Sequence, residues 1–120
     1  MNRVLLAAAA LVLAPTLATA EGFSTEDLGS TNTESQCMER ARLVYEEFDR
    51  ASGVGQIVAG NWTISAFDVI RDDYDAHITC AFGPNDTTRG TLVVYGNDNG
   101  NPEERSGIAR RMKAMWEAWE

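Results

Sequence analysis

The chain has two cysteines, and they lie on stretches of different periodicity, so a bond between them would join two kinds of element. Cys37 starts the series Cys37, Ala41, Val44, Tyr45 and Phe48 at helical spacing, just after Thr33 and Gln36 in the order of a capping box. Cys80 instead alternates with Tyr74, Ala76, Ile78 and Phe82, which puts all five on one face of a strand. The spacing fits no zinc pattern and contains no Cys-x-x-Cys, so the pair reads as a structural disulfide. Closing a 44-residue loop, counted with both ends, stabilises a fold by up to about 4 kcal/mol in the chain-entropy model.

The rest of the chain arranges itself around that joint. A first helix is expected from about Glu34 to Arg50, ended by Ser52-Gly53-Val54-Gly55, while Ile57 to Gly60 is compatible with a loop or a short strand. Asn61 to Arg71, Tyr74 to Phe82 and Gly90 to Gly96 are rich in β-branched and aromatic residues and are separated by turn-forming clusters, giving three antiparallel strands in a meander. Asn101-Pro102-Glu103-Glu104 offers an N-cap, a proline at the first helical position and an acidic first turn. From there Ile108, Met112, Met115, Trp116 and Trp119 form the stripe of a second helix running to the C-terminus. Two helices with one apolar stripe each, and a sheet with one face to bury, define a two-layer α+β sandwich with both helices on one sheet face.

Residues 1–20 read as a secretory leader: Arg3 is the positive start, Val4 to Leu13 the apolar run and Ala18-Thr19-Ala20 the small-residue cleavage site. The apolar run is short for a membrane span and Pro15 interrupts it; Glu21 stands where a lipoprotein would need Cys. Export to the periplasm or the medium is the expectation, which also suits a disulfide. Glu21 to Asn32, with only Phe23 and Leu28 as large apolar residues, reads as a flexible N-terminal arm, and 33–120 as a single domain. After cleavage, ten basic residues less Arg3 face eighteen acidic ones, a net charge of −9 with His77 neutral. Such a surface excludes nucleic acid and anionic membrane as natural partners and permits a cationic one.

Candidate sites follow from the expected strand pairing. A hairpin turning about Asp72-Asp73 sets Phe67 opposite Ile78 on the core face and Asp68 opposite His77 on the outer face. An Asp–His pair invites general-base chemistry, yet the sequence holds no Gly-x-Ser-x-Gly and no reactive Cys, so a solvated polar pair is the simpler reading. The same register puts Trp62, Ile64 and Ile70 on the outer face, more apolar than a solvated face requires. Asp72, Asp73 and Asp75, and then Asn97, Asp98, Asn99 and Asn101, are oxygen-rich turns without the spacing of an EF-hand. Asn61-Trp62-Thr63 and Asn85-Asp86-Thr87 match the glycosylation triplet, a weak pattern given no functional weight. Arg105, Arg110, Arg111 and Lys113 are expected on the solvated face of the second helix, pairing with Glu103, Glu104 and Glu117.

The resulting expectation is a small exported, non-enzymatic domain, without cofactor or metal, that binds a protein or ligand. Its expected surface is the outer sheet face, carrying Trp62, Ile64, Ile70, His77 and Asp68, or else the second helix with its Met112, Met115, Trp116 and Trp119 stripe. The sheet face would take a protein partner or a second copy. The alternatives are a hydrolase-like or metal-assisted enzyme using Asp68 and His77, and an inhibitor of a cationic secreted enzyme.

Overall fold

The computed structural model describes residues 22–119; the expected leader, residues 1–20, lies outside the described residues. The elements run β1 (Gly22–Thr31), α1 (Glu34–Ser52), β2 (Val54–Ala59), β3 (Thr63–Val69), β4 (Tyr74–Phe82), a 3-10 turn (Pro84–Asp86), β5 (Thr88–Gly96) and α2 (Pro102–Ala118). The strands form one antiparallel sheet in the order β1-β5-β4-β3-β2, so the sheet has five strands and not three. Helix α1 carries the chain from one edge to the other. From β2 onward the sheet is a four-stranded meander that returns to pair with β1.

Local chemistry accounts for the helix ends. The Thr33 hydroxyl accepts from the Gln36 amide at 3.1 Å, and Gln36 Oε1 accepts from the Asn32 amide at 2.9 Å, one residue earlier than in a standard capping box. Gly53, at φ 93, ends α1 in a conformation that suits glycine and donates its amide to Asp49 O. Asn101 Oδ1 accepts from the amides of Glu103 and Glu104 and starts α2 ahead of Pro102.

Both helices pack on one face of the sheet. Cys37, Ala41, Val44, Tyr45 and Phe48 of α1 and Ile108, Ala109, Met112 and Trp116 of α2 meet Ile64, Ala66, Val69, Ala76, Ile78, Leu92 and Val94 in a single core. The Cys37–Cys80 disulfide forms between the fully buried stripe of α1 and the buried face of β4, with a Cα–Cα distance of 6.0 Å. Gly90 lets Trp116 lie directly on β5: a Cβ there would come within 3.2 Å of the indole. The stripe of α2 is shorter than expected, since Met115 is only partly buried and Trp119 is 47% exposed.

Two expectations are corrected and one open segment is settled. The segment read as a flexible arm is β1, paired with β5 from Gly22↔Gly96 to Thr31↔Thr88 around a bulge between Asp27 and Gly29, and its Leu28 belongs to the core. Its polar helix-side residues have partners on α2: Ser24 Oγ lies 3.2 Å from Ser106 Oγ and accepts from Arg105 at 3.1 Å, while Lys113 lies 3.5 Å from Glu26. The undecided segment before Gly60 is an edge strand, β2.

The β3–β4 register is the second correction. Ser65, not Asp68, faces His77, and Ile64, not Phe67, faces Ile78. The turn comprises residues 70–73, so Val69 pairs with Tyr74, and an irregularity between Ala66 and Val69 absorbs a residue. Within it Asp68 takes a left-handed backbone conformation, φ 54, followed by Ile70 and Arg71 at φ 50 and 67. Every side chain before the bulge is therefore on the opposite face from the one expected.

Candidate functional site

With the helices on one face, the other face of the sheet carries the side chains of alternate residues from all five strands. Tyr95 faces Phe23 across β1 and β5, Val93 faces His77 across β5 and β4, and His77 faces Ser65 across β4 and β3. The result is a row of rings over four neighbouring strands. Phe23 and Tyr95 have centroids 6.1 Å apart, Tyr95 and His77 5.6 Å, and His77 and Phe67 5.8 Å, the last two edge to face. Phe23 is 64% exposed and Tyr95 48%, so much of the ring area meets solvent. Val58 continues the row onto β2, opposite Ser65.

His77 is held between Phe67 and Tyr95 and shares a hydrogen bond of 2.8 Å between its Nδ1 and Ser65 Oγ. A serine hydroxyl on an imidazole is the first half of a nucleophile–base pair, but the groups that orient this imidazole are rings and not a carboxylate. Asp68, the expected partner, instead donates its backbone amide to Asp75 Oδ1 at 3.1 Å. No group of three or more His, Cys, Asp or Glu side chains among the described residues is placed to hold a metal ion.

The ring row is flanked by acidic residues beside Tyr95. Asp72, Asp73 and Asp75 line, with Tyr95 and Asn97, a cavity of about 220 Å³. Asp73 pairs with Arg71 at 2.9 Å, whereas Asp68, Asp72 and Asp75 take no ion pair among the described residues. At the other side of the β4–β5 pairing, Arg89 pairs with Asp27. The Gly29 amide and the Arg89 guanidinium, in that order of effect, hold the Asp27 carboxyl below its ordinary range.

The expected site residues divide. His77 lies on the outer face. Ile64 is corrected to the core, 2% exposed, because of the register. Ile70 sits in the β3–β4 turn, partly buried against the core. Trp62 lies in the β2–β3 turn, 41% exposed, with its ring 5.0 Å from that of Phe82. The basic residues of α2 reach other elements: Arg105 bonds to Ser24, Lys113 pairs with Glu26, and Arg111 donates to Ser52 Oγ at 2.7 Å with its guanidinium 4.5 Å from the Phe48 ring centroid. Phe23, Phe67 and Tyr95 were missing from the expected site. The alternation in Tyr95 and Val93 was legible, but the partners of those residues depend on a fifth strand.

Comparison with protein-family models, curated proteins and solved structures finds no match. Among the described residues no helix is long and apolar enough to cross a membrane.

Proposed function

We propose that the chain is a small exported, non-enzymatic domain that binds a protein or ligand through the outer face of its sheet. The observation that carries this reading is the Phe23–Tyr95–His77–Phe67 row, four rings on one helix-free face with Phe23 and Tyr95 about half exposed or more. Aromatic side chains offer large contact area at little conformational cost, which makes them common anchors of binding surfaces. The carboxylates of Asp68, Asp72 and Asp75 beside the row, in no ion pair among the described residues, favour a complement that is neutral or basic there. With a net charge of −9 for the chain after the leader, an inhibitor of a cationic secreted enzyme is one form of the same reading.

The test is a photo-crosslinking aromatic amino acid placed at Phe23 in cells producing the protein, compared with the same group at Arg110 on the exposed side of α2. A discrete adduct formed from Phe23 and not from Arg110 supports the reading; adducts equal at both positions, or at Arg110 alone, refute it. A second reading, a hydrolase-like enzyme, draws on the Ser65–His77 hydrogen bond and no longer on Asp68 with His77. Hydrolysis of ester substrates that is lost in both Ser65→Ala and His77→Ala would favour it.

A further inference from the structure

Strand β2 differs from every other helix and strand of the described chain: Val54–Ala59 contains no Asp, Glu, Lys or Arg. It also lies at an edge of the sheet, so one side of its backbone pairs with β3 and the other pairs with no strand among the described residues. Edge strands are ordinarily blunted against pairing by charge, proline or a bulge. The opposite edge shows these devices, since β1 carries Glu26 and Asp27 and is interrupted by the bulge at Asp27/Gly29. β2 has no proline and no charge, and its pairing with β3 is continuous from Gln56↔Phe67 to Ala59↔Ile64. Gly55, Gln56, Val58 and Ala59 are exposed, Val58 by 41%.

We infer that β2 is a self-association edge: two copies pair their β2 strands antiparallel about a two-fold axis and join two five-stranded sheets into one of ten. Charge argues for a second copy as the occupant. Each chain is strongly acidic, so most approaches set like charges together, and a strand without charges of its own is the place where two such chains meet with least repulsion, the carboxylate of Asp68 lying beside Gly55. An antiparallel strand pair about a two-fold axis is self-complementary, so one sequence serves both sides. Ile57, opposite Ala66 on the helix side and only partly buried, would be covered by the partner copy, and Val58 would extend the outer face across the junction. This inference does not rest on the ring row, which meets β2 only at Val58.

Sedimentation of the purified protein over a range of concentrations tests it, with amide hydrogen exchange to locate the contact. The expected result is a reversible dimer that tightens as salt screens the two acidic copies, with slower exchange in β2 as concentration rises. Val58→Lys should weaken dimerisation at least about tenfold. Gln56→Glu, a change of similar size at an exposed position, should act in the same direction, and it keeps the test informative if Val58→Lys disturbs the fold. Tyr95→Ser should leave the dimer intact. A monomer at every concentration, or a dimer that survives Gln56→Glu and Val58→Lys in folded protein, would overturn the inference, as would a dimer abolished by Tyr95→Ser.

Discussion

Replacing both bridge cysteines, Cys37→Ala with Cys80→Ala, is the perturbation whose size follows most directly from the structure. The bond spans a sequence separation of 43 and joins two fully buried side chains, so removing it frees a long loop in the unfolded chain only. The chain-entropy ceiling for such a loop is about 4 kcal/mol, and measured losses run from about 2 to 5. Helix α1 keeps Ala41, Val44, Tyr45 and Phe48 in the core, so the variant should still fold. Because both sulfurs are buried, the double variant is a cleaner perturbation than a reductant, which must wait for the fold to open. Equilibrium urea unfolding should show a loss of about 2–4 kcal/mol, with a melting temperature lower by roughly 10–30 °C. The urea slope m should also rise, because the uncrosslinked unfolded chain is more expanded. A cavity left by the missing sulfurs would lower stability without changing m. A loss under about 0.5 kcal/mol with unchanged m would refute the claim that this bridge fastens the helix layer to the sheet through the unfolded state.

Leu28→Ala should cost about 2–5 kcal/mol in the same assay, since β1 contributes Leu28 to the core; a neutral result would restore the reading of 21–32 as a loose arm. The Tyr45 hydroxyl is buried and makes no well-formed hydrogen bond among the described residues; burial raises its pKa well above the ordinary phenol range, and the nearby Ile78 backbone only partly opposes this. Tyr45→Phe should therefore be neutral or stabilising by up to about 1 kcal/mol, and a loss above that would show a bound partner for the hydroxyl. Asp27, with its pKa lowered, contributes stability that is present above its ordinary aspartate value and is lost as pH falls through the folded one. The melting-temperature gap between the protein and Asp27→Asn should narrow on acidification; a gap that widens would contradict the ion pair with Arg89.

What the sequence reveals depends on whether the information is local. Both helices are legible because their caps and stripes lie within a few residues of each other, and the buried face of β4 is legible because Tyr74, Ala76, Ile78 and Cys80 alternate without interruption. β1 is not, since its helix-side residues Ser24 and Glu26 are polar and are matched by Ser106, Arg105 and Lys113 some eighty residues away. The β3–β4 register fails for a different reason. One residue absorbed near Asp68 exchanges the faces of Ile64 and Phe67, and no turn signal in Ile70-Arg71-Asp72-Asp73 announces it. Of the candidate site, His77 could be placed on the outer face from alternation alone, whereas its neighbours Tyr95 and Phe67 depend on the five-strand order and the bulge.

The central claim is that the ring row is a binding surface, and the affinity of a partner captured through Phe23 for the protein and for Tyr95→Ser tests it most directly. Tyr95 is the second ring of the row and is 48% exposed, with contacts to Phe23 and His77. The account predicts that Tyr95→Ser weakens binding by more than about 1 kcal/mol, while the protein stays folded and loses only the roughly 1–2 kcal/mol of its two ring contacts. Unchanged affinity, or affinity lost only because the variant no longer folds, would contradict it.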